Sequence, residues 1–252
     1  MTKDSGAPRR SYEEGCIAAH ALDLIGDRWA LLVVRELLLG PKRFAGLRAG
    51  LPGVSANILK QRLVELDAAG VLHRRALPSP ASVQVYELES AGLTLWPVIE
   101  ALCHWGASMP GHDPRLFISP TALMLSLRAM VVPNPELDLT VGFRLGDELF
   151  HTRMEGGRYE VSRAHAMDGD LTFDGRTNPV AAVIYGPRPF EKSVVASGVA
   201  FQGDPTLGQA FVDCFVLGTG AKGRGAKGRG AKGRGAKGRG AKGRGATVAD
   251  AG

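Results

Sequence analysis

The 252 residues suffice for one large domain or two of roughly 100–150 residues each, and a make-up of 44% apolar, 22% charged and 6% aromatic is that of an average globular protein. No apolar run approaches the roughly 18–20 residues of a bilayer span, the basic start MTKDSGAPRRSYEEG has no apolar stretch behind it, and Cys16, Cys103 and Cys214 are widely spaced and unpairable as a set, so a cytoplasmic protein with no membrane partner is expected. The formal charge of +6 belongs to the C-terminal end: residues 220–244 are five copies of GAKGR carrying ten basic side chains, while residues 1–219 hold 21 Lys plus Arg against 24 Asp plus Glu.

In chain order, CIAAHALDLIG has a helical period, with Ile17, Leu24 and Ile25 near one face, and stops at Gly26. Asp27 is placed to cap RWALLVVRELLLG, a helix apolar nearly all round and therefore central to a core, with Trp29 as a core aromatic. Gly40 and Pro41 end it. A short helix, FAGLRAGL, and a turn at residues 52–54 lead to Ser55, the expected N-cap of SANILKQRLVELDAAG. At 100° per residue Leu59, Leu63 and Leu66 form its buried stripe, and Asn57, Lys60, Gln61 and Val64 lie opposite. Those polar types match readers of base edges and phosphates; an ordinary solvated helix face is the alternative.

Between positions 42 and 75, Lys42, Arg43, Arg48, Lys60, Arg62, Arg74 and Arg75 face only Glu65 and Asp67, a local excess of five positive charges and a candidate phosphate footprint. After Gly70, VLHRRAL and VQVYELE flank a Pro-rich tip at residues 78–82 and read as a hairpin carrying His73, Arg74 and Arg75. A helix–turn–helix followed by a basic hairpin is a winged helix, whose second helix enters the major groove while the wing follows the backbone or minor groove. Ser90 is the expected cap of SAGLTLWPVIEALCHWGASM, in which Pro97 kinks the helix or marks its first turn. Its stripe of Leu95, Val98, Ile99, Leu102 and Trp105 serves either a second copy of the chain or the domain's own core.

From residue 111 the character changes. An apolar helix, PTALMLSLRAMVV, precedes strand-like pieces LTVGFRL, ELFHTRM, GRYEVSR, GDLTFDG and KSVVASGVAFQG, with NPVAAVIYG and PTLGQAFVDCFVL as helices. The fold class expected is α+β: a winged helix–turn–helix domain over residues 12–110, an α+β domain with a mainly antiparallel sheet over 115–217, and a repeat tail over 218–252. The tail, with Gly at two of every five positions and nothing larger than Ala to bury, is expected to be disordered. Its Lys222, Arg224, Lys227, Arg229 and their repeats form an electrostatic arm for nucleic acid, insensitive to sequence, or a drifting low-complexity extension.

The residues from GCIAAHALDLIGDRWALLVVRELLLGPKRFAGLRAGLPGVSANILKQRL to LDAAGVLHRR, with YELESAG behind them, resemble the HxlR-type branch of bacterial MarR-like winged-helix regulators over about residues 12–108. Where the family has TELG after the wing tyrosine, this chain has ESAG, with Ser90 kept as a cap. The resemblance implies a homodimer that binds double-stranded DNA at paired half-sites, as a nucleoid-associated cytoplasmic regulator. Ser55, Asn57, Lys60 and Gln61 would read or position the major groove, and Arg43, Arg62, Arg74 and Arg75 would hold phosphates.

DGDLTFDGRTNPVAAVIYG followed by VVASGVAFQGDPTLGQAFVDCF is similar to sterol carrier protein-type lipid-binding domains over about 165–217, which implies an apolar cavity and a hydrophobic small-molecule effector. Leu125, Met130, Phe143, Phe150, Phe173, Ile184 and Phe201 are the candidate lining; ordinary core is the alternative for each. A lipid carrier tethered by its DNA-binding half and an architectural protein dominated by the tail are rival readings.

Cys16 stands where the family often places a single N-terminal cysteine, used in some members as a redox or electrophile sensor; a buried, inert thiol is the alternative. Glu13 and Glu14 would raise its pKa unless a helix N-terminus or Arg9 and Arg10 offset them. No catalytic residue, cofactor or metal site is expected: the six histidines lack HExxH or Cys–His spacing, and Asp168, Asp170 and Asp174 read as turn and strand-end residues rather than a calcium loop.

Overall fold

Gly26 ends the first helix, α1 (Ile17–Ile25), as the periodicity predicts, its N–H donating to the Leu22 carbonyl at 2.8 Å. In the computed structural model, which describes residues 11–77, 83–187 and 189–217, Ile25 is buried but Ile17 faces out, 87% exposed. The second helix, α2 (Ala30–Leu37), starts later than expected, because Trp29 takes a left-handed φ of +82°. Asp27 is therefore not its cap. Its main-chain carbonyl accepts from Ala30 N at 3.0 Å, while its carboxylate crosses to Arg62.

The helix α3 (Phe44–Gly50) follows, and the turn after it needs Gly53, at φ +90°, a conformation that a Cβ disfavours. Ser55 then caps α4 (Ala56–Ala68), its Oγ accepting from Ile58 N at 3.2 Å. The strands β1 (Leu72–Ala76) and β2 (Gln84–Leu88) pair antiparallel, Leu72 opposite Leu88 and Ala76 opposite Gln84. The expected tip at 78–82 lies outside the described residues.

The single long helix expected next is two, α5 (Ser90–Leu93) and α6 (Trp96–Ser108). Pro97 occupies the first turn of α6, where its missing N–H is not needed. Ser90 is the first residue of α5 rather than its cap; Glu89 holds that position without a side-chain bond. These elements enclose a core of Val33, Val34, Leu37, Leu47, Leu51, Leu59, Leu63, Leu66, Leu72 and Ile99.

A second core forms under a sheet. Ser119 caps α7 (Pro120–Met130), accepting from Ala122 N at 3.0 Å. The strands β3 (Leu139–Leu145), β4 (Glu148–Glu155), β5 (Arg158–Arg163) and β6 (Leu171–Gly175) precede the helices α8 (Thr177–Tyr185) and α9 (Phe190–Ser197). The strand β7 (Ala200–Gln202) and the helix α10 (Pro205–Asp213) complete the described chain. Sheet order is β5-β4-β3-β6-β7, with β3 and β6 parallel and the other neighbours antiparallel, so the sheet is mixed.

Only the end of KSVVASGVAFQG is a strand. Its valines suggest β-structure, but Phe190 and Ser193, three apart, are both buried, and Gly198 at φ +67° ends the resulting helix. The two cores touch through Leu39, which packs on the second, and through Arg128 of α7, whose guanidinium lies 4.3 Å from the Trp96 ring centroid in α6. All described residues belong to one unit. No helix among them is long and apolar enough to cross a membrane.

Candidate nucleic-acid interface

The leucines decide which side of α4 can meet a ligand. Leu59, Leu63 and Leu66 are at most 1% exposed, so the helix is held by that stripe while Asn57, Lys60, Gln61 and Val64 face solvent. Gln61 donates from Nε2 to Glu65 Oε1 at 3.0 Å, which braces its amide and leaves its carbonyl free to accept. Arg62 is different. Its side chain is 11% exposed and its guanidinium is held by Asp27 of the α1–α2 turn and by Glu65 Oε2 at 2.6 Å, so it fastens α4 to its own domain.

The footprint of basic residues shrinks in the same way. Lys42, expected in the phosphate-facing cluster, is 7% exposed and its ammonium lies 2.8 Å from Glu36 Oε2, an interior ion pair. Arg75 pairs through Nε with Glu87, holding that carboxyl below its usual range, and His73 Nδ1 lies 2.8 Å from Glu89 Oε1. Arg74 donates to Gln84 Oε1 at 3.1 Å across the hairpin and keeps its charge exposed. Arg43 at the N-cap of α3, Arg48 in its last turn and Lys60 are exposed and without an ion pair among the described residues. The tail positions Lys222, Arg224, Lys227 and Arg229 lie outside the described residues.

Glu36 is the residue that the sequence does not single out, and Lys42, which stands out as a basic residue, has the buried Glu36 as its partner. Glu36 is fully buried in α2, and its close packing requires Gly50 at the end of α3, where a Cβ would overlap Glu36 Oε2. The available signal was a carboxylate in the run ALLVVRELLLG, which is apolar apart from the adjacent Arg35 and Glu36.

Cys16 is exposed at the N-cap of α1. The free amides of Ala19 and Ala18 in the first turn lower its pKa, and the raising effect expected from Glu13 and Glu14 is not among its causes. Burial pushes the thiols of Cys103 and Cys214 up.

Six of the seven candidate lining residues of the second domain pack into or against its core, the alternative open for each. Phe143 stacks on Phe173 at 5.2 Å, Phe173 lies 5.3 Å from Phe201, and Leu125, Phe150 and Ile184 are at most 2% exposed; Met130 is half-buried. Ring-on-ring packing fills the space they were expected to enclose. A cleft of about 700 Å³ opens elsewhere, between α8 and α9, with Ala181, Ala182, Tyr185, Ala196, Pro114 and Arg115 in its walls and none of the seven among its lining residues. Small side chains make this space: no aromatic other than Tyr185 enters it. Tyr185 is fixed by a 2.9 Å hydrogen bond to Ser126 Oγ. Among the described residues no group of three His, Cys, Asp or Glu could hold a metal ion.

The HxlR-like helix-turn-helix family model matches residues 24–113, ending before the second core. The chain is 36% identical over 86 residues to the HTH-type transcriptional regulator YvaP of Bacillus subtilis (strain 168), covering 34% of this chain and 79% of that protein. It is 33% identical over 85 residues to the HTH-type transcriptional regulator YodB of the same organism, covering 34% of this chain and 76% of that one. The solved structure of reduced YodB from B. subtilis is 30% identical, covers 39% of this chain and 100% of that chain, and superposes with a TM-score of 0.35.

Proposed function

The chain belongs to the HxlR-like helix-turn-helix family of transcriptional regulators, not of enzymes, and from that premise we propose a homodimeric DNA-binding regulator that answers to a hydrophobic small molecule. The observation that carries the DNA reading is the split of α4, with leucines inward and Asn57, Lys60 and Gln61 exposed on the first turns behind the Ser55 cap. Asn and Gln suit adenine, and Lys suits guanine or phosphate. Arg43, Arg48 and Arg74 supply phosphate contacts, whereas Arg62 and Arg75 serve carboxylates within the protein. The basic tail adds affinity without selectivity.

A mobility shift against the DNA beside the chain's own gene, with and without residues 219–252, tests this. A discrete shift that survives truncation, with a weaker salt dependence, is the expected result. Loss of all binding on truncation would favour an architectural protein acting through its tail.

The dimer is supported by α6, where Val98, Leu102 and Trp105 are 42%, 47% and 64% exposed, an apolar row with no partner in the core among the described residues. The effector site we assign to the cleft between α8 and α9, whose size and small apolar walls suit a lipid-like molecule. Cys16, with its lowered pKa, is the thiol suited to an oxidant or electrophile. Native mass spectrometry of the full chain reads all three proposals. Expected are a two-chain mass that Trp105→Glu converts to one chain, a retained apolar passenger, and addition of a quinone at a thiol absent from Cys16→Ser. A monomeric, empty, unreactive protein would refute them.

A further inference from the structure

The cleft and the wing are joined by an unbroken set of polar contacts, none of which belongs to the DNA-reading face. It begins at the segment linking the two cores. Pro114 and Arg115 stand in the cleft wall, and Asn178 of α8 pins the residues that follow: its Nδ2 donates to the Leu116 carbonyl at 2.7 Å and its Oδ1 accepts from Ile118 N at 3.3 Å. The next residue is Ser119. Its hydroxyl caps α7 and donates to Glu36 Oε1 at 2.6 Å, across to the first core.

Glu36 passes the contact on. Its other oxygen, Oε2, accepts from Lys42 Nζ at 2.8 Å, and Lys42 shares its ammonium with Glu148 Oε2 of β4 at 3.5 Å, which Arg163 of β5 holds at 2.7 Å. The buried ammonium therefore sits between a carboxylate of each core. Its own backbone is bonded to the wing: Lys42 N donates to the Tyr86 carbonyl at 3.0 Å, and Tyr86 N donates to the Lys42 carbonyl at 2.8 Å. The residue after it, Arg43, is the N-cap of α3. One side chain thus ties the sheet of the second core to the base of the wing and the start of the helix–turn–helix.

We propose that occupancy of the cleft is transmitted to the wing along this relay, with Lys42 as the positioning residue; the proposal rests on the cleft and DNA assignments above. A charge enclosed at low dielectric resists losing either partner, so a movement of Ser119 or Glu148 displaces Lys42 rather than being absorbed by water. Occupied and empty clefts need differ only in how tightly α8 holds the 114–118 segment for the two states to favour different wing positions.

The test uses the full chain without an effector. Glu148→Gln and Asn178→Ala cut the relay at opposite ends, and both side chains are partly exposed, which favours folding. Amide exchange at Lys42 and Tyr86 is expected to quicken in each, while the Leu59 and Leu63 amides of α4 keep their wild-type rates. Affinity for a DNA fragment selected from a random pool by the wild-type chain should change about threefold to thirtyfold. Glu148→Asp, which keeps the charge, should restore both readouts in part. Wild-type exchange at Lys42 and Tyr86 in both cut variants overturns the proposal, and so does altered exchange with unaltered DNA affinity. If the wild-type chain selects no DNA, the DNA reading fails by itself, and the exchange rates still decide whether the relay exists.

Discussion

Replacing Glu36 by alanine will destabilise the protein by about 3–5 kcal/mol, the loss expected when one member of a buried ion pair is removed. Lys42 would keep its 7% exposure and retain only Glu148, at 3.5 Å, while the Ser119 hydroxyl would lose its acceptor. Against a total stability of about 5–15 kcal/mol this is a large share. The size of the effect does not mean that the pair itself stabilises by that amount, because most of it is the penalty of stranding an ammonium. The double replacement Glu36→Leu with Lys42→Met should accordingly recover much of the loss. Urea unfolding of the three proteins, wild type included, measures both numbers. A single variant within about 1 kcal/mol of wild type would mean that water or another carboxylate reaches Lys42.

Alanine at Asn57, Lys60 and Gln61 together will remove target selection while leaving the fold intact. All three are exposed, alanine is the better helix former, and the Leu59–Leu63–Leu66 stripe that holds α4 is untouched. Each base-edge contact contributes about 1–3 kcal/mol of discrimination, so the preference for a selected site over a scrambled one should fall at least a hundredfold. Arg74→Ala is the contrast: it should weaken all sequences alike and lower the salt slope by about one. Competition binding at fixed salt, with helicity checked by circular dichroism, separates the two classes. A folded triple variant that still prefers its site would remove α4 from the reading of DNA.

What was legible beforehand was local. The Ser55 cap, the leucine stripe and the pairing of LHRRA with QVYEL follow from spacing within a few residues. Errors arose where neighbours in space overruled neighbours in sequence. Asp27 has the right side chain for an N-cap, yet the left-handed Trp29 delays α2 and frees the carboxylate for Arg62, thirty-five residues on. The phenylalanines chosen as a cavity lining have the right character, but rings that can reach one another fill their own space, and the opening lies beside the alanines of α8 and α9.

The sequence by itself determined most of the elements, the cap and stripe of the reading helix, and the family, since each depends on periodicity and order along the chain; the late start of α2, the break between α5 and α6 and the helix α9 did not follow from it. Tertiary structure alone decided what the charges do. Of the basic residues between 42 and 75, Lys42 turns inward, Arg62 and Arg75 are matched by carboxylates, and Arg43, Arg48, Lys60 and Arg74 remain exposed. A charge carries no local signature of its partner. The contact between Ser119 and Glu36, 83 residues apart, exists only because two cores fold against each other.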